Sequence, residues 1–249
     1  TEKLTDYVNP FVGTDGYGNV YPGAQIPFGG IQISPDTDSR FYDAASGYKY
    51  NHLTLMGFSL THLSGTGIPD LGDFLFIPGT GEMKLEPGTH EDPDQGYRSR
   101  YSHDKEWASP NYYAVELADY GVKAEMTSGV RSGMFRFTYP ESDNAFIMID
   151  MNHTLWQSCE WSNLRMINDS TITGYKLVKG WGPERHVYFT ATFSKKLTGL
   201  RFVQDKKPVI YNTSRFRSSY EAWGKNLMAC ISFDTKAGEE VTVKTAISA

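Results

Sequence analysis

Hydrophobic and polar side chains alternate along much of the chain, with the period of two that is typical of a strand with one buried face. In the clearest stretch, one face carries Val187, Phe189, Ala191 and Phe193, and the other carries Tyr188, Thr190 and Thr192. Shorter alternating runs surround Val115, Phe137 and Val243. Residues 146–149 instead form a continuous apolar run, as expected for a strand covered on both sides.

Turn-forming residues separate these runs, at 78–79, 87–88, 119–121, 140–144 and 237–238. Many short strands bounded by such turns predict an all-β fold, a large antiparallel β-sandwich of two packed sheets with little helix. The best helical candidate is residues 218–226. Residues 9–30 and 87–110 are predicted to be long irregular loops, which are usually functional or cover something. We expect residues 1–249 to form a single domain.

Charge and composition exclude several classes of protein. The net charge is −5 and no basic tract is longer than the pair Lys206-Lys207. A nucleic-acid partner is therefore not expected, because phosphate binding needs a clustered basic face. No segment approaches the roughly 20 apolar residues that span a bilayer. The first residues do not resemble a signal peptide, so any targeting segment has been removed or left out. Two separate buried thiols are favoured over a Cys159–Cys230 disulfide.

Aromatic residues and glycine are abundant, with 16 Tyr, 14 Phe, 5 Trp and 24 Gly. Aromatic residues suit β-structure, and most of the rings are expected in the core or in cross-strand pairs. Exposed rings would suit carbohydrate binding, because an aromatic face packs on the C–H face of a pyranose. Trp156, Trp161 and Trp181 could line such a groove, with burial in the core as the alternative.

Two segments combine ligand-binding side chains with flexible backbone. Residues 9–24 contain four glycines, at 13, 16, 18 and 23, which allow close approach of a ligand. This loop lacks the Gly-Lys-Ser/Thr of a phosphate loop, and it could simply cross the edge of the sandwich. Residues 41–48 place Tyr42 beside Asp43. A ring that stacks and a carboxylate that accepts hydroxyl hydrogen bonds suit a pyranose; the alternative is a turn in which Asp43 caps its own backbone.

A third segment, residues 57–73, carries His62, Asp70 and Asp73 in a turn rich in Ser, Thr and Gly. A Ser–His–Asp triad with Ser59 or Ser64 would need an oxyanion hole and a nucleophile elbow, and the elbow is missing. A metal site would need more ligands. A pair of carboxylates for glycoside hydrolysis would need Asp70 and Asp73 to face one sugar. Backbone capping by Asp70 and Asp73 is favoured over the triad, the metal site and the catalytic carboxylate pair. The other five histidines are scattered and are expected to be structural.

Five sequence blocks follow one another along the chain. They are NPFVGTDGYGNVYPGAQIPFGGIQISPDTD, SGYKY, GFSLTHLSGTGIPDLGD, YRSRYSHDKEWASPNYYAV and VRSGMFRFTYP. In this order they resemble the amino-terminal part of glycoside hydrolase family 92, and the resemblance covers essentially the whole chain.

The resemblance implies the amino-terminal β-sandwich of a calcium-dependent, inverting exo-α-mannosidase that acts on terminal α-mannosides of glycans, such as N-glycans, with α-1,2 linkages favoured. It also implies that the general acid, the general base and the calcium ligands belong to a carboxy-terminal (α/α)6 barrel, which this chain lacks. We therefore expect no catalytic residue or metal ligand here, and no activity from these 249 residues alone. The terminal strand predicts that the polypeptide continues, and a secreted, periplasmic or cell-surface location is implied.

The resemblance further implies which loops meet the mannose. The candidate substrate-binding residues are Asp15, Gly16, Tyr42, Asp43, Ser46, Gly47, His62, Ser64 and Gly65. The family frequently has Trp where Tyr42 stands, and its first loop is often rich in His where this chain has Tyr17 and Asn19. Tyr42 is expected to stack on the sugar, Asp43 to hold its hydroxyls and His62 to line the loop.

Two other functions stay open. A stand-alone carbohydrate-binding module or adhesin is supported by the aromatic content and the sandwich pattern. Such a module should lack the large exposed apolar patch of a domain that docks on a barrel. A complete small hydrolase using Asp70 and Asp73 would lose its activity when either residue is changed to Asn.

Overall fold

The strands of the chain assemble into two large antiparallel sheets that pack face to face, which confirms the predicted all-β sandwich. The structure, a computed structural model, describes residues 2–39, 42–210 and 220–249, and the side chain of Asp43 lies outside this description. Strands are numbered β1 to β18 in chain order within these ranges.

The smaller of the two main sheets has seven described strands. Their spatial order is β1 (Ser34–Asp36), β3 (Gly57–Ser59), β4 (Leu75–Thr80), β10 (Ser142–Asp150), β17 (Leu227–Thr235), β14 (Gly199–Gln204) and β15 (Lys207–Pro208). Its central strand β10 runs between β4 and β17, so both of its edges are paired.

The larger sheet has nine described strands. Their order is β16 (Glu221–Gly224), β11 (Ser158–Asn168), β12 (Thr171–Lys179), β13 (Arg185–Phe193), β18 (Glu239–Ser248), β9 (Ser132–Tyr139), β8 (Val122–Ser128), β7 (Tyr112–Leu117) and β6 (Glu106–Ser109). A separate pair joins β2 (Thr54–Leu55) to β5 (Ser99–Arg100). The described helices are short 3-10 turns at Leu4–Tyr7, Tyr42–Ala44, Pro93–Gln95 and His103–Lys105. None of them is long and apolar enough to pass through a bilayer.

The main core lies between the two sheets and is dominated by aromatic rings. Phe76 of the seven-stranded sheet meets Phe135 and Phe189 of the nine-stranded sheet, with ring centroids 5.0 and 6.3 Å apart. The alternation predicted for β13 is confirmed, because Val187 and Phe189 are buried and Tyr188 is exposed. Aromatic rings bury large areas, so this cluster supplies much of the stability of the sandwich.

A second apolar cluster covers the outer face of the seven-stranded sheet. The run 146–149 is buried on both faces, as predicted: Ile147 and Ile149 belong to the main core, and Phe146 and Met148 belong to the outer cluster. Tyr97 closes part of that outer cluster. Residues 87–110, predicted as an irregular loop, are therefore a cover, and they include two short strands and two 3-10 turns.

Two further expectations can be compared with the structure. The helix predicted over residues 218–226 is wrong, since residues 221–224 form β16, an edge strand that pairs with β11; residues 218 and 219 lie outside the described ranges. Every second residue of β16 is buried. Four residues are too few, however, to distinguish this alternation from one turn of a helix. Cys159 and Cys230 are separate buried thiols, as predicted, and burial raises the pKa of both.

Candidate functional site

The three loop segments singled out from the sequence lie against one another at one rim of the sandwich. The backbone N–H of Gly65 donates to the carbonyl of Asn19 at 2.7 Å, which joins the third segment to the first. The Lys49 ammonium donates to the Gly16 carbonyl at 2.6 Å, which joins the first segment to the chain just after the second. The first loop is therefore held at two points.

Gly47 joins the second segment to the buried part of the site. Its φ is +86°, and a Cβ at this position would lie 2.1 Å from Asp36 Oδ1 and 3.1 Å from His62 Cδ2. Its carbonyl accepts a hydrogen bond from Thr37 N at 2.6 Å. Because only glycine combines this backbone angle with such a close approach, the residue is required by the Asp36–His62 pair beneath it.

Asp36, on β1, is a fully buried carboxylate that accepts hydrogen bonds from two histidines. His62 Nε2 is 2.7 Å from Oδ1, and His153 Nε2 is 2.7 Å from Oδ2. Burial alone would raise the pKa of Asp36, but the charge of His62 and the hydrogen bonds from both rings hold it below its usual range. Asp36 is therefore an anion in the native protein.

The His62 ring is held at both of its nitrogens. Its Nδ1 faces the carbonyl oxygen of Gln32 at 2.8 Å, and its Nε2 faces the Asp36 carboxylate. These two acceptors fix the orientation of the ring from opposite sides. Ser59 Oγ contacts the same Nε2 at 3.1 Å. A Ser–His–Asp triad uses opposite nitrogens of the ring, so this geometry does not make Ser59 a nucleophile.

A second buried carboxylate lies nearby. Asp73 Oδ2 accepts from Thr61 Oγ1 at 2.7 Å and from Arg185 Nη1 at 2.6 Å, while Oδ1 is 3.1 Å from the Lys176 ammonium. Burial opposes ionisation, but Lys176 and Arg185 overcome it and lower the pKa of Asp73 to about 2. The Lys176 ammonium also donates to the His153 carbonyl at 2.6 Å, which connects the two buried groups.

These contacts argue against a catalytic pair of Asp70 and Asp73. Both oxygens of Asp73 are occupied and its side chain is fully buried. Asp70 Oδ1 accepts from the N–H of Leu71 at 2.6 Å, the backbone capping favoured from the sequence. Neither carboxylate is free to face a sugar together with the other, as glycoside hydrolysis requires.

The candidate binding residues divide into a surface layer and a buried layer. Asp15, Gly16, Tyr42, Ser64 and Gly65 are exposed, whereas Ser46, Gly47 and His62 are buried. The backbone of Asp43 lies in the 3-10 turn, but its side chain is outside the described part of the chain. The His62 ring supports the loop from below rather than facing its surface, and Ser46 Oγ is 3.4 Å from the Tyr48 carbonyl.

Tyr42 has an aromatic partner that the sequence did not single out for this site. The rings of Tyr42 and Trp156 have centroids 5.3 Å apart and planes inclined at 51°. Both side chains are more than half exposed, 56% for Tyr42 and 54% for Trp156. Because Trp156 is 114 residues away along the chain (156 − 42), no local pattern could have paired the two. The signal that the sequence did offer was its Trp residues, Trp156 among them, which were predicted as possible lining of a sugar-binding groove.

Calcium, implied by the family resemblance, does not fit the side chains seen here. Among the described residues, no three His, Cys, Asp or Glu side chains are grouped so that they could hold a metal ion. Calcium prefers six to eight oxygen ligands, whereas the buried carboxylates Asp36 and Asp73 are engaged by N–H groups and by cations.

The fold and the rim define an all-β domain with exposed aromatic rings above a buried charged layer. The model of the glycosyl hydrolase family 92 N-terminal domain matches residues 7–248. The chain therefore belongs to glycosyl hydrolase family 92, as its N-terminal domain.

Two solved structures share the fold over essentially the whole chain. The family GH92 glycosyl hydrolase ccman5 has a TM-score of 0.81 at 26% identity, over 99% of this chain and 32% of its own. The family GH92 inverting mannosidase BT2199 from Bacteroides thetaiotaomicron has a TM-score of 0.79 at 25% identity, over 100% of this chain and 32% of its own.

A curated relative from Arthroderma benhamiae is described as an uncharacterized secreted glycosidase. It is 30% identical over 139 residues, which are 55% of this chain and 17% of that protein. The chain thus spans about a third of the length of the solved relatives that it matches, and less of this curated one.

Proposed function

We propose that these residues are the pocket-shaping domain of a calcium-dependent, inverting exo-α-mannosidase that removes terminal α-mannosyl residues from glycans, with α-1,2 linkages favoured. The observation that carries the proposal is the match, over 100% of the chain, to a family GH92 inverting mannosidase. The secreted relative supports a secreted or cell-surface location. The calcium ligands, the general acid and the general base belong to the rest of the polypeptide, a carboxy-terminal (α/α)6 barrel.

The roles of the two layers follow from their exposure. The exposed Tyr42 stacks on the mannose ring, while exposed loop residues such as Asp15, Gly16, Ser64 and Gly65 border the pocket. The role of Asp43 as acceptor of hydroxyl hydrogen bonds is taken from the family resemblance. Beneath them, His62 and Gly47 keep the loops in place. The barrel supplies an acid that protonates the leaving oxygen and a base that activates water from the opposite face, as inversion requires.

An exposed apolar surface supports a domain that docks on a larger partner. Leu4, Val12, Tyr17 and Phe28 are all largely exposed, and all lie within the first 28 residues. Monomers rarely expose a large contiguous apolar patch unless it covers an interface, and four such side chains within one segment favour a patch of this kind. Since the same segment carries Asp15 and Gly16, we place the interface with the barrel next to the mannose pocket.

The test is hydrolysis by the complete polypeptide and by the 249-residue chain alone. The complete polypeptide should cleave an aryl α-mannoside, lose activity with a calcium chelator and recover it with added calcium. The 249-residue chain should show no turnover. Calcium-dependent hydrolysis by the 249 residues alone, or a complete polypeptide inactive on every α-mannoside, would contradict the proposal.

A stand-alone carbohydrate-binding module is the second candidate, and one observation favours it. Across four neighbouring strands of the nine-stranded sheet, Trp223 is in register with Asn163, Asn163 with Tyr175, and Tyr175 with Tyr188. The Tyr175 and Tyr188 rings contact each other with centroids 4.9 Å apart, and a row of aromatic side chains across neighbouring strands suits a sugar chain. This function predicts that the 249-residue chain binds polysaccharide by itself and that Trp223→Ala abolishes the binding.

A further inference from the structure

A large cleft opens on the outer face of the seven-stranded sheet, beside the candidate mannose site. Its volume is about 940 Å³, and the residues that line it include Asp150, His153, Trp156, Gln157 and Met228. The floor is apolar, because Met228 belongs to the outer hydrophobic cluster. The cleft is large enough for several sugar units, since ligand pockets commonly measure about 300–1,000 Å³.

Trp156 connects this cleft to the predicted mannose site. It lines the cleft and its ring contacts Tyr42 at 5.3 Å. Its φ of +73° is unusual for a bulky residue and strains the backbone. Hydrogen bonds of the turn hold this conformation, from Thr154 Oγ1 to the Gln157 carbonyl at 2.7 Å and from Leu155 N to the Leu71 carbonyl at 2.9 Å. A strained, half-exposed Trp kept at a cleft rim indicates a binding role.

The polar groups of the cleft are fixed in place. The His153 ring, 7% exposed, is oriented by Asp36. Gln157 Nε2 donates to the Pro69 carbonyl at 3.1 Å and to the Leu155 carbonyl at 2.7 Å. The Gln157 Oε1 atom is buried and finds no hydrogen-bond donor in the described part of the chain.

The charges of the cleft favour a neutral ligand. The two lysines at its edge are already paired, Lys206 with Glu86 at 2.6 Å and Lys225 with Glu160 at 3.3 Å. Asp150 accepts from the Tyr97 hydroxyl at 3.2 Å. Among the described residues that line the cleft, both lysines are paired, so these residues offer an anionic group such as a phosphodiester little, whereas hydroxyl-rich sugar units would meet rings, amides and a fixed imidazole.

We propose that the cleft binds the neutral oligosaccharide that follows the terminal mannose, with Trp156 as its stacking platform. This inference rests on the proposed function. The sandwich domain then helps to bind the sugars on the leaving-group side of the scissile bond. The sugar that is removed sits at Tyr42, and the chain attached to it passes over Trp156 into the cleft.

The test compares two substrates of the complete polypeptide. α-Mannosyl fluoride has a leaving group too small to enter the cleft, whereas an α-mannotetraose extends into it. Trp156→Ala should raise KM for the tetraose by about tenfold, the loss of roughly 1.4 kcal/mol expected for one stacking contact. It should lower kcat/KM for the fluoride by a much smaller factor, because Trp156 meets the mannose site only through its contact with Tyr42. Trp107→Ala removes a similarly exposed ring, 47% against 54%, that does not line the cleft, and it should change neither substrate.

A second variant separates binding from misfolding. Trp156→Gly also removes the ring but accepts the positive φ, so it should reproduce the selective rise in KM with no loss of thermal stability. Equal loss on both substrates, or no loss on the tetraose, would overturn the inference while the mannosidase function stands. A wild-type polypeptide that cleaves neither substrate would overturn the proposed function and the inference together.

Discussion

The carboxylate of Asp36 accepts a hydrogen bond from His153 Nε2 at 2.7 Å, although 117 positions separate the two residues. The other oxygen of Asp36 is bound to His62. One buried anion thus joins β1, the loop after β3 and the turn that carries Trp156. Breaking a buried ion pair by removing one partner is strongly destabilising, so this carboxylate should fix the geometry of the whole rim.

Asp36→Asn should therefore destabilise the chain by about 3 kcal/mol, since it removes the buried carboxylate that both histidines contact. The measurement is the urea midpoint of unfolding, with Asp15→Asn as the control. Asp15 is exposed and accepts a hydrogen bond from the neighbouring Gly16 N–H at 2.8 Å, so its variant should shift stability by less than about 0.5 kcal/mol. Equal midpoints for the two variants would show that the pair contributes nothing.

Gly47→Ala tests the close approach above Asp36. The new methyl would lie 2.1 Å from Asp36 Oδ1 at a φ of +86°, so backbone strain and a steric clash both apply, and we expect a loss of roughly 3 kcal/mol. Gly65→Ala is the matched control, because its φ is +76° but a Cβ there meets nothing within 4 Å. It should lose only about 1 kcal/mol. Similar losses for the two variants would argue that Gly47 is required only for its backbone angle.

The buried Asp73 predicts how stability changes in acid. Its pKa falls from an ordinary value of about 3.9 to about 2 in the folded chain. A depressed carboxyl pKa stabilises the native state above the unfolded value, and this stabilisation is lost as the pH falls from about 4 towards 2. The difference is roughly 2 kcal/mol. The free energy of unfolding of wild type should drop across this window, and the drop should be smaller in Asp73→Asn.

Cys159 and Cys230 predict slow thiol chemistry in the native chain. Burial raises the pKa of each thiol, and the thiolate is the reactive form. A disulfide-exchange reagent should therefore label neither thiol rapidly at pH 8 until urea unfolds the chain. Release of two equivalents within seconds from the folded chain would contradict the buried positions.

Local patterns predicted the sheets better than they predicted the site. Alternation in β13 and the apolar run of β10 are properties of neighbouring residues, and the structure has both. Residues 221–224 were wrongly assigned to a helix, because four residues at the sheet edge take their conformation from hydrogen bonds to β11. Pairing across the sheet overrides weak local preference.

The buried layer could not be predicted, because its members are distant in sequence. His62 and Asp73 lie in one segment, but their partners come from other parts of the chain. His62 contacts Asp36, and Asp73 contacts Lys176 and Arg185. From the sequence, His62 was predicted only to line the loop. The Tyr42–Trp156 contact was equally hidden, since it joins two loops across the rim.

The most direct test of the account is the effect of Tyr42→Ala on the complete polypeptide, with α-mannosyl fluoride as substrate. Since this substrate reports on the terminal mannose site alone, kcat/KM should fall by about tenfold or more, the loss of one buried stacking contact. Trp107→Ala, which removes an exposed ring from β6, should change kcat/KM by less than about twofold. A Tyr42→Ala polypeptide with wild-type kcat/KM would contradict the claim that this sandwich forms a wall of the mannose pocket.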